Sequence, residues 1–358
     1  MTVTTTDVAV TGIGVRSAFG SGLDPLVAAA TRGLSAFGPV GRFDVTHRQA
    51  RRAALAPGTP VLGEALPAVL HEAVTQAGVD PDEAGPLLLA RHGDPVTAEA
   101  CRPVHERWGD GRVYTGACTA AGSAVADAAA LISSGRAERV LVAAGYLVEP
   151  DTFAVFDAGR ALARDGVARP FSAGRSGLLL GDGVVAVVLE SAAAAEHRGA
   201  EVLARIAGWG RAGDAYHVCR PAPDGSGLAR AVRSALGRAG LTPDQVGYVN
   251  ANATGSPLAD QAEARALESV FGTGGPPVSS SKSVHGHALE ASALLELAVT
   301  IGALRAGVLP VNAGLLGPDP ECALDLVTED TPRAAPAHAL TLNSAFGGAN
   351  TALLVAAA

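Results

Sequence analysis

Cys118 lies in TGACTAAGSA (115–124), at the start of an Ala-rich stretch. Small neighbours permit a sharp turn and a close backbone approach. A cysteine at a helix N-terminus gains thiolate character from the helix dipole and from amide groups aimed at it. This is the thiol counterpart of a nucleophile elbow. A buried structural cysteine in an Ala-rich core would give the same local sequence. Three further patterns bring polar groups together. VNANATGSPLAD (249–260) ends an apolar run in polar residues and turns through Gly255 and Pro257. SSSKSVHGHALEASALLE (279–296) puts Lys282, His285 and His287 in a loop before an apolar helix, with Glu296 on that helix as a partner for Lys282. Two histidines at i, i+2 without a carboxylate at ligand spacing make a poor metal site, and a lone loop histidine is usually just solvated. NSAFGGAN (343–350) sets paired glycines between two strand-like runs. That suits a backbone passing close to a ligand, and a plain hairpin turn explains it almost as well.

The elements that must position these groups alternate in type. DVAVTGIG (7–14), PLLLA (86–90), RVLVAAG (139–145) and VVAVVLE (184–190) read as strands apolar enough to be buried on both faces. TAAGSAVADAAALISSG (119–135) reads as a helix stopped at Gly135. The theme repeats with strands at 201–210 and 246–252, helices at 227–240, 259–272 and 291–307, and a strand pair at 338–345 and 350–357. Strand–helix alternation predicts an α/β sandwich with largely parallel sheets. The similar element order in the two halves fits an internal duplication. Residues 91–112 read as a polar excursion, and no linker divides the chain into independent domains.

Composition narrows the classes. The chain has 358 residues, 48% hydrophobic and 17% charged, with a net charge of −8. That length supports a sizeable core, and the low charge content argues against disorder. The acidic balance disfavours a broad nucleic-acid surface. Arg48, Arg51 and Arg52 form one local basic run, read first as a solvated loop and second as a dock for an acidic partner. None of the four cysteines forms a CxxC pair, so neither a zinc knuckle nor a redox pair is expected. GxGxxG is missing after the first strand, so no nucleotide, metal or flavin cofactor is called for. The start lacks a secretory pattern, and no run of 18 apolar residues occurs. The expectation is a cytoplasmic protein without a membrane span.

Taken in order, the Cys turn, the VNAxxT loop, the KSxxGH loop and the FGGxN hairpin resemble one family. The chain is similar nearly end to end to the β-ketoacyl-acyl carrier protein synthases, the ketosynthases of the thiolase superfamily. Supporting stretches include TGIGVRSAFG (11–20), LPVNAGLLGPDPECALDLV (309–327) and NSAFGGANTALLV (343–355). The resemblance implies a five-layer αβαβα thiolase-like fold of two pseudo-twofold halves. Residues 1–200 would carry the nucleophilic cysteine, and 201–358 the Asn, the His and the FGG loop. It implies that Cys118 takes an acyl group from the phosphopantetheine arm of an acyl carrier protein or from CoA. The N–H groups of Cys118 and Phe346 would form the oxyanion hole. Lys282 and Glu296 would pair and hold the His287 loop. Thr254 and Ser256 would bind the pantetheine arm, while Ser344, Phe346, Gly347 and Glu290 would border the substrate. The partners implied are a carrier protein and a second subunit, either the same chain or a homologue.

The departures from the family pattern bear on function. Its condensing members carry Cys–His–His, whereas the order here is Cys118, Asn252, His287. Asn donates a hydrogen bond but does not exchange a proton near neutral pH. Glu290 stands where the family has glycine, Ser344 where it has an aromatic, and the stretch between Ala90 and Arg112 is short. Three readings follow. The first is an atypical acyltransferase of specialised polyketide or fatty-acid-type biosynthesis, antibiotic pathways included. It would pass the acyl group from Cys118 to a nucleophile such as an alcohol or amine, with Glu290 as a conceivable second base. The second is a true decarboxylative condensing enzyme that tolerates Asn252. The third is a catalytically silent partner subunit of the chain-length-factor kind.

Overall fold

The computed structural model describes residues 7–109, 111–329 and 336–358. Among them, ten strands form one continuous ladder: β1 Val8–Ser17, β2 Leu87–Ala90, β3 Arg112–Tyr114, β4 Arg139–Tyr146, β5 Gly183–Ser191, β6 Ala204–Gly213, β7 Tyr248–Asn250, β8 Val278–Ser279, β9 His338–Ser344 and β10 Ala349–Ala357. The order across the ladder is β8-β7-β9-β10-β6-β1-β5-β4-β2-β3, with the short segment Gly20–Ser21 folded back on β1. From each edge to the centre the order is therefore the same, strand n corresponding to strand n+5. The senses repeat as well: β2 runs parallel to β3 and β4, as β7 does to β8 and β9. At the centre β1 and β6 pair antiparallel.

The sheet is not largely parallel. β1–β5, β4–β5, β6–β10 and β9–β10 are all antiparallel. Parallel pairing needs a crossover long enough to carry the chain back. The four residues between β9 and β10 allow only a hairpin.

The ladder separates three layers of helix, giving the αβαβα arrangement. Helix α1 (Leu62–Ala77) packs outside β1, β4 and β5. Helices α2 (Ala120–Ser133) and α5 (Ser292–Ala306) fill the middle layer. Helices α3 (Ser226–Ala239) and α4 (Pro257–Phe271) cover the opposite face. Every residue of α5 from Ser292 to Leu304 is buried, which is why its sequence shows no polar stripe. Helix α1 and the helix Pro150–Ala158 were not legible as elements. The first contains Pro67. The 91–112 excursion is not irregular: it forms the short helices Pro95–Ala100 and Arg102–Trp108 before β3.

Close packing of α1 depends on a missing side chain. A Cβ at Gly14 of β1 would stand 2.0 Å from the Val69 carbonyl oxygen on α1. Gly14→Ala is therefore expected to lift the helix and lower stability by about 1–3 kcal/mol. Gly38→Ala, with open space around it, should change stability by less than about 0.5 kcal/mol. Urea denaturation of the two variants checks the contrast.

Candidate active site

The turn before α2 carries Cys118. Ala117 has φ 50°, a left-handed conformation costly for a residue with a Cβ. It sharpens the chain so that Cys118 stands in the 3-10 turn Ala117–Thr119 that leads into α2. Burial, with the Glu290 carboxyl second, pushes the Cys118 thiol up to about 12. The thiol is thus a neutral group in the resting site, and the helix start does not make it a thiolate.

His287 faces it from the other half of the chain. Its Nε2 lies 3.0 Å from the Cys118 Sγ, and its Nδ1 lies 2.9 Å from the Ser292 Oγ. The Ala288 N–H donates to the same Ser292 oxygen. Ser292 keeps its own hydroxyl proton, so it can donate to Nδ1 or accept from it, and either imidazole tautomer is satisfied. Burial, then the Lys282 ammonium, holds His287 well below its usual pKa. Gly286, with φ 77°, supplies the turn between His285 and His287 that a side chain would strain. His285 points elsewhere, toward the Ser281 hydroxyl and the Gly286 carbonyl.

Lys282 and Glu296 are 1% and 0% exposed and meet at 2.6 Å. The Asn343 amide donates to the other Glu296 oxygen at 2.7 Å. The Lys282 Nζ also donates to the Asn252 Oδ1 at 3.2 Å. An ammonium can only donate, so the Asn252 carbonyl must face it. The Asn252 NH₂ is then left for the cavity. The Asn252 backbone N–H donates to the Glu263 Oε1 at 2.8 Å. Burial raises the Glu263 carboxyl to about 8. Neither Glu263 nor Asn343 was singled out from sequence. The Asp260–Glu263 spacing on α4 was the available signal, since Asp260 accepts the Thr254 and Gly255 N–H groups of the same loop.

A cavity of about 370 Å³ opens onto these groups and is lined by Cys118, Asn252, Thr254, Ser256, His287, Ser344 and Phe346, among others. Asp214, Cys219 and Arg220 border it too; they lie in DAYHVCRPAPDGSG, one of the stretches that carry the family resemblance, but were not singled out as site residues. Phe346 is 58% exposed and stacks on Phe156, with ring centroids 6.2 Å apart. The Ala345 and Gly348 N–H groups are bonded within the hairpin, to the Ala349 and Ala345 carbonyls, and the Gly347 N–H to the Val218 carbonyl outside it. Gly347 is outside the cavity lining; its N–H ties the hairpin to the 214–224 segment instead. Glu290 also lies outside the lining. It is buried beside the Cys118 turn, where its Oε1 meets the His92 Nδ1 at 3.1 Å. Arg48, Arg51 and Arg52 edge a separate open depression with Arg164.

The arrangement can hold a thioester carbonyl against a thiol, with an imidazole to relay its proton and the Asn252 amide as a neutral donor toward the cavity. Such a site on such a sheet belongs to the thiolase-like ketosynthases. Residues 109–195 match the N-terminal domain, and residues 203–315 the C-terminal domain, of the β-ketoacyl synthases. Nodulation protein E of Rhizobium meliloti is 36% identical over 322 residues, 79% of this chain and 79% of that protein. 3-Oxoacyl-[acyl-carrier-protein] synthase 2 of Staphylococcus aureus is 30% identical over 323 residues, 87% of this chain and 79% of that protein. The solved ishigamide ketosynthase/chain length factor has a TM-score of 0.90 and 27% identity, covering 99% of this chain and 100% of that chain. A beta-ketoacyl synthase from Burkholderia phymatum has a TM-score of 0.90 and 28% identity with the same coverage. The chain belongs to the β-ketoacyl synthase family. Among the described residues, no helix is long and apolar enough to cross a membrane.

Two outcomes test the electrostatics. With the exposed Cys219 replaced by Ala, iodoacetamide labelling of Cys118 should rise about tenfold per pH unit from pH 7 to 9 without a plateau, because the thiol loses its proton only near 12. A plateau near neutral pH would show a preformed thiolate. Lys282→Met should cost about 3–5 kcal/mol in denaturant unfolding, since it strands a buried carboxyl, and adding Glu296→Leu should recover part of the loss.

Proposed function

We propose that this chain is an acyl-transfer enzyme built on a condensing-enzyme scaffold, with Cys118 as the acyl acceptor. The sulfur attacks a thioester carbonyl as its proton passes to His287 Nε2. The imidazole then returns that proton to the departing pantetheine sulfur. The acyl-Cys118 that results passes its acyl group to a second nucleophile. The observation that carries this reading is the Lys282–Asn252 bond. It fixes Asn252 as a neutral donor toward the cavity, which suits a carbonyl oxygen and supplies no proton transfer. Acylation keeps everything it requires, whereas malonyl decarboxylation finds at position 252 an amide that cannot exchange a proton.

The thioester carrier is read as an acyl carrier protein, the partner printed in the name of the Staphylococcus aureus relative. The depression lined by Arg48, Arg51, Arg52 and Arg164 offers an acidic carrier the right charge. Two other readings have their own support. The same relative is named as a 3-oxoacyl synthase, which favours condensation. The likeness to a ketosynthase/chain length factor favours a partner subunit, but the 3.0 Å Cys118–His287 contact opposes a silent role.

Intact-mass analysis of wild type, Cys118→Ala and Asn252→His with acyl- and malonyl-carrier thioesters separates the three. Wild type should gain one acyl group, Cys118→Ala none, and Asn252→His should release carbon dioxide from malonyl-carrier at least tenfold faster than wild type. Chain extension by wild type would establish condensation instead. No adduct on wild type would favour the partner role.

A further inference from the structure

Charge is scarce on the walls of the Cys118 cavity. Among the described residues that line it, with His287 neutral, only Asp214 and Arg220 carry a formal charge near neutral pH. Asp214 is committed: one oxygen accepts from the Asn350 amide and the other from the Ala222 N–H. Arg220 is not. Its guanidinium makes no hydrogen bond or ion pair with any described residue. Other arginines are held by carboxylates, as Arg42 is by Asp182, Arg139 and Arg198 by Glu190, and Arg175 by Asp319. Among the described residues, Arg220 is therefore the one charge of the cavity left without a counter-charge.

The segment that carries Arg220 is fixed on both sides of it. Before it, the Val218 carbonyl accepts from the Gly347 N–H of the hairpin, and the Asp214 N–H donates to the Gly348 carbonyl. After it, Ala222 is tied to Asp214. Pro221 restricts the backbone of the arginine that precedes it. A Cβ at Gly227 or Gly348 would collide with Asp214, so two glycines make the socket that seats this segment. The guanidinium is thus offered from a held backbone. The cavity also has a direction. Cys118 is 7% exposed, whereas Leu258 and Phe346 are each 58% exposed, and Arg220 is exposed with them. A thioester arm that brings its carbonyl to Cys118 must run inward past those residues, leaving its far end at the surface.

We infer that Arg220 anchors the incoming thioester by an anionic group, the phosphate that a phosphopantetheine arm carries at the end away from its sulfur. This rests on the acyl-transfer reading above and adds the residue that recognises the arm. A planar guanidinium presents paired N–H donors that match two phosphate oxygens. The net charge of −8 gives the surface as a whole no attraction for an anion. The phosphate is remote from the reacting carbonyl, so the contact contributes alike to the bound thioester and to the transition state. It lowers the concentration needed for saturation and leaves the limiting rate unchanged. A carboxylate on the acyl group offers Arg220 the same chemistry, and the test separates the two sources.

The test follows acylation of Cys118 by intact mass against thioester concentration, using butanoyl-pantetheine, butanoyl-4′-phosphopantetheine and succinyl-pantetheine. Wild type is compared with Arg220→Met, Arg220→Lys and Arg32→Met, an exposed arginine outside the cavity lining, each checked for folding by its melting transition. Wild type should saturate at about threefold to tenfold lower concentration with the phosphorylated thioester, at the same limiting rate. High salt should shrink that advantage. Arg220→Met should bring the ratio to about one, Arg220→Lys should keep part of it, and Arg32→Met should keep all of it. A wild-type ratio near one, or an undiminished ratio in Arg220→Met, overturns the phosphate anchor while leaving acyl transfer standing. So does a loss in Arg220→Met confined to the succinyl thioester, which would place the anion on the acyl group. No adduct on Cys118 from any of the three overturns the acyl-transfer reading, and this inference with it.

Discussion

A lysine ammonium and a glutamate carboxyl, both almost wholly out of water, meet 2.6 Å apart between the one-turn helix Lys282–His285, where the sequence suggested a loop, and the buried helix α5. Such a pair holds only while its remaining hydrogen-bonding capacity is met. Asn343 on β9 meets part of it, and Asn252 after β7 meets another part. Asn250 ties the same region together, donating to the Glu296 carbonyl and accepting from the Ser281 N–H. Segments far apart in sequence are thus locked by one charged centre. The orientation of the Asn252 amide, and with it the character of the cavity wall, follows from that lock.

The low polarity around the lock explains the resting state of the reactive groups. Burial disfavours every charge, so the thiol stays protonated while both nearby imidazoles stay neutral: His285 falls to about 3 and His287 lies well below its usual value. The Lys282 charge adds to the depression of both histidines. Burial thus disfavours a resting thiolate–imidazolium pair. A proton must move as the sulfur–carbon bond forms, which makes the 3.0 Å contact and the tautomer freedom given by Ser292 the features that matter.

Around a conserved plan of sheet and nucleophile turn, the polar details of this chain differ from the pattern its family suggests. An amide donor stands at position 252, where the resemblance leads one to expect an imidazole, and a carboxyl lies buried near the thiol at position 290. Both changes alter what can be bound or protonated near the sulfur without disturbing the strand ladder. Fold and chemistry are separable here because the ladder is held by backbone bonds and apolar packing, while the site depends on a few buried polar side chains.

The sequence alone determined the strands and helices whose periodicity was clean, and the four motifs whose order placed the chain in its family. The run at 291–307 was visible because a helix buried on every side must be apolar throughout. Cys118, His287, Lys282 and Glu296 were legible by type and place, and Asn252 only through the family resemblance. What the sequence did not contain was distance. The strand senses were misjudged because local apolar runs do not say which strand lies beside which. Helix α1 carries an internal proline, Pro67, a residue that by type argues against a continuous helix. Glu263, Ser292, Asn343 and His92 matter only through contacts spanning 11, 5, 47 and 198 positions respectively. The first three pairings form within the second half as its loops fold against α4, α5 and β9, while His92–Glu290 and Cys118–His287 form only when the two halves meet, and with them the desolvation of the thiol.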